Sequence, residues 1–347
     1  MALTCTSEEI QAQMNEQQQT IRWGIMGTAR IATRVSRAIH AVAGAEPSVI
    51  ASRNGERAAA WAAEHNIPSS IEGYQALLDD ETLDAVYIPL PPSMHHEWTI
   101  RAAEQGKHVL CEKPIAMNAS QAEEMAAACR EHGVQLMDST MWVHSPRARE
   151  MKGILDSGQL GDLSRVTSAF TILLDPIEDE LRFDRQRGGG SLMDLGWYNI
   201  RATLWAFGSL PERVLGSGQY ENDVDMRFSA TLWYPHDRVA SFDCGFNLTR
   251  RKWFEITGTT GTLVCDDFLA PWDPSRPRYW THDAEGTSCE QTAEPLIQEE
   301  CMVDNFCQIV RSGQLDDHWP QITIANQRIV DALDESSRTG KVVELLQ

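Results

Sequence analysis

The sequence predicts an α/β protein: an N-terminal Rossmann domain followed by a C-terminal α/β domain with a large open, mainly antiparallel sheet. Three observations carry this. From residue 20 to about 143, short apolar runs alternate with helical patterns, as in parallel strands covered on both faces by crossover helices. Beyond that point, longer strands of alternating polarity take over, the pattern of a sheet with one face on a core. The chain has 347 residues, 42% hydrophobic and 23% charged, enough for two cores and ordinary for a globular protein. The expected divisions are a tail at 1–19, a Rossmann domain at 20–143 and a second domain at 144–347.

In order, 21–26 reads as a strand ending at Gly27, 31–43 as a helix, 48–52 as a strand and 56–65 as a helix. Strands at 85–89, 109–111 and 135–138 then alternate with helices at 95–105 and 120–131. A helix near 146–155 opens the second half, before a strand at 164–174. Strands at 226–234 and 238–246 are joined by the turn residues Pro235-His236-Asp237, and those at 253–257 and 262–265 flank Gly258-Thr259-Thr260-Gly261. This reads as an antiparallel meander, punctuated by helices near 192–207, 299–312 and 322–338. Residues 1–19 are polar and Gln-rich, without the basic start and apolar stretch of a secretory signal. They read as a disordered tail or as an arm docking on a neighbouring subunit.

Composition excludes several classes. A formal net charge of −20 argues against nucleic acid or an acidic membrane as partner, because phosphate surfaces select clustered Lys and Arg. A local basic pocket for a small phosphorylated ligand remains compatible with it. No apolar run is long enough to cross a bilayer. The eight cysteines include no CxxC pair and show no zinc-site or disulfide spacing. A reducing, cytoplasmic compartment is expected, and no metal is required.

The first strand runs into its helix through Gly27-Thr28-Ala29-Arg30-Ile31-Ala32. Such a turn aims backbone N–H groups and the positive helix end at a pyrophosphate. The pattern is Gly27-x-Ala29-x-x-Ala32, with alanine at the second and third glycine positions, so an ordinary strand–helix turn is the competing reading. At the end of the second strand, Ser52-Arg53-Asn54 stands where NAD sites usually place an acid. A hydroxyl and a guanidinium there, with Arg57 and Arg30 nearby, suit the 2′-phosphate of NADP; NAD is the alternative. Arg53 and Arg57 as solvated surface charges is the plain alternative.

Cys111-Glu112-Lys113-Pro114 follows a strand, at the edge where open α/β sheets bind ligands. Downstream, Gly188-Gly189-Gly190-Ser191 leads into a helix carrying Asp194 and Tyr198 four residues apart, with Arg201 and Trp205 continuing that face. A lysine, an aspartate and a phenol suit proton exchange at an alcohol carbon, since a nearby ammonium lowers a phenol pKa from about 10. Two readings stay open. Ser191-x-x-Asp194 also fits a capping box, and Tyr198 also fits a core aromatic with a satisfied hydroxyl.

Taken with the hairpin Phe254-x-x-x-Gly258-x-x-Gly261, these motifs resemble the glucose–fructose oxidoreductase/inositol dehydrogenase (Gfo/Idh/MocA) family from residue 21 to about 343. The resemblance implies NAD(P)-dependent oxidation or reduction of sugars, cyclitols and related diols. It carries the family lysine and aspartate onto Lys113 and Asp194. Many members have histidine four residues after the aspartate; Tyr198 is similar instead to the glucose–fructose oxidoreductase, anhydrofructose reductase and dimeric dihydrodiol dehydrogenase branches. The family's strand-end Pro-Asn-x-x-His is here Pro91-Pro92-Ser93-Met94-His95, so Pro91 and His95 carry over and the asparagine does not. Trp142, His144 and Arg147, after the last Rossmann strand, are expected to border the cleft, with Trp197 and Tyr198 as further substrate contacts. The expected function is NADP-dependent hydride transfer to or from a sugar or cyclic diol. The rivals are a non-catalytic nucleotide- and sugar-sensing protein, and an enzyme that keeps its cofactor bound and uses it internally for sugar-to-sugar transfer or glycoside cleavage. An open sheet face suggests a homodimer or homotetramer.

Overall fold

The computed structural model describes residues 20–175 and 180–345; the tail expected at 1–19 lies outside them. Six parallel strands form the first sheet: β1 (Ile21–Met26), β2 (Ala45–Ser52), β3 (Ser69–Glu72), β4 (Ala85–Ile88), β5 (His108–Cys111) and β6 (Leu136–Asp138). Their order, β3-β2-β1-β4-β5-β6, is that of a dinucleotide-binding Rossmann sheet. Every residue of β4 is buried, which is why the strand reads as an unbroken apolar run. The helices are α1 (Ala32–Ala41), α2 (Gly55–His65), α3 (Tyr74–Leu78), α4 (Pro92–Glu104) and α5 (Ala119–Glu131). The β3 strand and the short α3 were not expected: Ser69-Ser70-Ile71-Glu72 has one apolar residue and lies at the sheet edge.

The second sheet has nine strands. They are β7 (Leu163–Leu173), β8 (Arg213–Glu221), β9 (Val224–Tyr234), β10 (Arg238–Gly245), β11 (Asn247–Gly258), β12 (Gly261–Cys265), β13 (Arg278–Asp283), β14 (Ser288–Thr292) and β15 (Val343–Glu344). The order is β14-β13-β12-β11-β7-β10-β9-β8-β15. It is not a pure meander. β7 sits at the centre and pairs with β10 in parallel, while β11 pairs with β7 antiparallel. The chain therefore leaves the sheet after β7, and the excursion contains the helix that carries Asp194. Along β9 and β12 buried residues alternate with half-buried or exposed ones, which leaves the opposite sheet face open.

Four further helices cover the sheets: α6 (Pro146–Asp156), α7 (Trp197–Phe207), α8 (Gln298–Ser312) and α9 (His318–Thr339). A π-helical turn, Leu192–Gly196, precedes α7. Although α8 comes late in the chain, it packs on the first domain. Met302, Val303, Phe306 and Cys307 join the buried cluster around Trp23 and Ile25, and the Trp23 and Phe306 rings lie 5.0 Å apart.

Candidate active site

A cleft of about 770 Å³ runs along the carboxyl ends of the Rossmann strands and on over β7 and β11. At its first end β1 turns into α1 through Gly27, whose φ of +108° only glycine adopts without strain. A Cβ there would also meet the Leu90 side chain at 3.0 Å. No side chain caps α1 and its first turn has no acid, so the positive helix end is left for an anion. Gly27, Thr28, Ala29 and Ile31 line the cleft; Arg30 is exposed outside it.

The end of β2 shapes the next part. Asn54 accepts the Arg57 N–H at 2.8 Å and so caps α2, while the Ser52 hydroxyl accepts the Asn54 N–H at 3.3 Å. Ser52, Arg53 and Arg57 all line the cleft. The acid in this region, Glu72, accepts the Gly55 N–H at 3.3 Å and does not line it. Tyr74, on α3, adds a phenol beside Arg53; burial raises its pKa and the two arginines oppose that.

The middle of the cleft joins the two domains. Lys113 at the end of β5 forms an ion pair with Asp194 and donates to the Asp194 carbonyl at 3.0 Å. Arg182 Nε donates to the other Asp194 carboxylate oxygen at 2.7 Å and its Nη1 bonds Glu180 at 3.1 Å. Burial alone would raise the Asp194 pKa, but Lys113 and Arg182 outweigh it and hold the carboxyl at about 2. Burial likewise opposes the charge on Lys113, and Asp194 and Tyr198 overcome it, raising the pKa above the usual lysine value. The Lys113 ammonium lies 4.8 Å from the Tyr198 ring centroid. Tyr198 does not have the lowered pKa the sequence suggested: burial pushes it up to about 12, against the opposing pull of Lys113. The Glu112 and Asp194 carboxylates add to the effect of burial. Glu112 accepts the Tyr87 hydroxyl at 2.6 Å, and burial raises its pKa.

The open choice at Asp194 is settled by its partners. It does not cap its helix; Asp225 on β9 takes that place, accepting the Ser191 hydroxyl at 2.8 Å and the Leu192 N–H at 2.6 Å. A Cβ on Gly190 would collide with the Asp225 carboxylate, which explains the glycine before the turn. Because the turn is π-helical, the face does not continue as a simple four-residue repeat. Arg201 is buried, paired with Asp138 and hydrogen-bonded to Thr323 and Asn326.

Several expected contacts lie elsewhere. His95 is fully buried between the carbonyls of Leu90 (2.7 Å) and Pro114 (3.0 Å) and braces two cleft loops from behind; burial lowers its pKa to about 4. Pro91 lines the cleft, as does Trp142, though Trp142 is 1% exposed and packs on Trp205, Phe254 and Phe268. His144, Arg147 and Trp197 do not line it. His144 stacks on Trp319 at 4.5 Å. Arg147 pairs with buried Asp267 and bonds the Asp267 and Phe268 carbonyls. Trp197 donates its indole N–H to Thr140 at 2.9 Å inside the core. The sequence reading missed Tyr74, Phe170, Ile172, Arg182, Arg250 and Lys252, all of which line the cleft. Phe170 and Lys252 lie directly opposite each other on β7 and β11, a pairing visible only once the parallel crossover is known. Among the described residues no group of three or more His, Cys, Asp or Glu could hold a metal ion.

The positive-φ turn at Gly27, the uncapped helix and the basic strand end fit a nicotinamide dinucleotide. Residues 21–139 match the oxidoreductase family, NAD-binding Rossmann fold, and residues 148–264 match the GFO/IDH/MocA C-terminal domain. The chain belongs to the Gfo/Idh/MocA family. It is an NAD(P)-dependent oxidoreductase acting on CH–OH groups. A D-xylose 1-dehydrogenase (NADP(+)) of Haloferax volcanii is 34% identical over 93% of this chain and 99% of that one. A dTDP-3,4-didehydro-2,6-dideoxy-α-D-glucose 3-reductase of Actinomadura kijaniata is 33% identical over 92% and 96%. The solved structure of the 3-ketoreductase KijD10 from A. kijaniata, with NADP and TDP-benzene, superposes with a TM-score of 0.85 at 32% identity, covering 91% of this chain and 98% of that one.

Because the Asp194 pKa falls to about 2 in the fold, against about 3.9 in an unfolded chain, its pairing stabilises the protein fully above pH 4. That contribution drains away as pH falls from about 4 to 2. Asp194→Asn is expected to flatten this segment of the stability–pH curve by about 2 kcal/mol, read by chemical denaturation at each pH. An unchanged curve would show that the pairing adds nothing.

Proposed function

We propose that the protein is an NADP-dependent oxidoreductase that moves a hydride between nicotinamide and a carbon of a sugar or cyclic diol. The observation that carries this is the Lys113–Asp194–Tyr198 cluster in the middle of the cleft. Gly27, Thr28, Ala29 and Ile31 would hold the pyrophosphate, and Ser52, Arg53 and Arg57 the adenosine ribose and its phosphate. When bound, the nicotinamide supplies the hydride donor or acceptor. Tyr198 Oη donates its proton to the substrate carbonyl oxygen on reduction and takes the hydroxyl proton back on oxidation. Lys113 stabilises the phenolate left by the first step, and Asp194, clamped by Arg182, fixes Lys113 against the tyrosine ring. A phenol with a pKa near 12 is already protonated at neutral pH, which favours reduction of a ketone or aldehyde. The relatives' names, a xylose dehydrogenase and a sugar ketoreductase, support the sugar class. The open face of the nine-stranded sheet supports a homodimer or homotetramer.

The test mixes enzyme at stoichiometric concentration with NADP⁺ or NADPH and a panel of aldoses, ketoses and cyclic diols, following reduced-nicotinamide fluorescence. A signal that Tyr198→Phe lowers by about 10²- to 10⁴-fold, with NADP affinity unchanged, is expected. Equal turnover in that variant would remove Tyr198 from the mechanism, and NADP binding without turnover on any substrate would favour a sensor. Oxidation should quicken about tenfold per pH unit between about pH 6 and 9 while reduction stays flat, because only oxidation needs the phenolate; the reverse pattern would assign the proton to another group. Arg53→Ala should cut the preference for NADP over NAD by about 10- to 100-fold, measured as the ratio of the two dissociation constants. An unchanged ratio would show that Arg53 does not read the 2′-phosphate.

A further inference from the structure

Eight basic and two acidic residues line the cleft of a chain whose net charge is −20. Arg53 and Arg57 belong to the dinucleotide end, and Lys113 and Arg182 are spent on Asp194. Two cations on β11, Arg250 and Lys252, are explained by neither. Lys252 is only 4% exposed, although a lysine is rarely buried without a counter-charge. Among the described residues neither it nor Arg250 forms an ion pair. The Lys252 ammonium donates to the Ala270 carbonyl and lies 3.8 Å from the centroid of Trp272. Asp267, whose charge reaches Lys252, is itself paired with Arg147. Arg250 lies 5.6 Å from the same Trp272 ring, which is 49% exposed. Lys252 is opposite Phe170 on the adjacent strand, so the two share a sheet face. Phe170 in turn packs edge-on against Tyr198, 5.6 Å between ring centroids. The two cations therefore sit on the substrate side of the proton donor, one residue removed from it.

We propose that the substrate bears an anionic group, a carboxylate or a phosphate ester, which Lys252 and Arg250 hold while Tyr198 addresses the reacting carbon. This rests on the oxidoreductase reading of the same cleft. A fixed anion would anchor the far end of the sugar and set which carbon faces Tyr198. It supplies the counter-charge that a buried ammonium lacks, and two cations on one strand match the two or three oxygens of such a group. Phe170 and Ile172, which line this stretch of the cleft, would give the sugar an apolar wall. Neutral sugars of the same shape would leave Lys252 without that partner and bind less well.

Calorimetry on the NADP-loaded full chain tests this with three probes: D-glucuronate, D-glucose 6-phosphate and D-glucose. At least one anionic sugar should bind about 10- to 100-fold tighter than glucose; glucuronate against glucose 6-phosphate tells carboxylate from phosphate. Lys252→Met should remove that gap, and Arg250→Gln, at an exposed position where folding is not at issue, should reduce it. Tighter binding weakened by both variants establishes the anion site. Equal or weaker binding of both anionic sugars, or a gap untouched by both variants, overturns it. Turnover with NADP⁺ is read separately. An anion gap without turnover on any sugar would keep the anion site and sink the oxidoreductase reading. Turnover of glucose equal to that of the anionic sugars, with no binding gap, would do the opposite.

Discussion

The contact on which the site depends is the buried ion pair between Lys113 and Asp194. Lys113 ends a strand of the Rossmann sheet, and Asp194 sits on a π-helical turn of the second domain. Neither charge has much water around it, so each needs the other: losing one partner of a buried pair typically costs about 3–5 kcal/mol. The pair thus ties the two domains across the cleft. Arg182 makes the tie rigid by occupying the second carboxylate oxygen, and Asp225 holds the turn that presents Asp194.

Burial sets the resting state of Tyr198. The Lys113 ammonium beside the phenol pulls its pKa down, but burial outweighs that pull, and the Glu112 and Asp194 carboxylates push the same way as burial. The resting site therefore carries a neutral phenol, an ammonium and a carboxylate held ionised beside it. In the proposed reaction that phenol would give its proton, and the ammonium would act most strongly on the negative oxygen left behind. Such an arrangement would bind the charge-separated state better than the ground state, which is the requirement for a catalytic group.

The Rossmann half was largely legible in the sequence because its information is local. Apolar runs of four to six residues, a glycine at Gly27 and a proline after Lys113 each mark their own position, and the strand and helix bounds fall within a few residues of those expected. That Lys113, Asp194 and Tyr198 share one cleft was legible from motifs. What was not legible depends on contacts between distant segments. The parallel β7–β10 pairing could not be seen in two alternating strands whose order in the sheet is set by the excursion between them. The fate of His144, Arg147 and Trp197 turned on partners more than fifty residues away: Asn305, Asp267 and Thr140. A polar residue after a Rossmann strand looks the same in the sequence whether it faces a ligand or a buried carboxylate.

Charge placement was hidden for the same reason. A net charge of −20 says that the surface repels anions at long range, and at about 0.15 M salt that repulsion fades within roughly 8 Å. Inside a cleft with low-dielectric walls, a few cations dominate the local field. The acidic exterior and the basic cleft are thus compatible, and together they are selective. A polyanion cannot approach the surface closely, whereas a small molecule with one or two negative groups is drawn into the only kind of environment that rewards it. The dinucleotide, with its phosphates, is one such molecule, and the anionic substrate proposed for Arg250 and Lys252 would be a second.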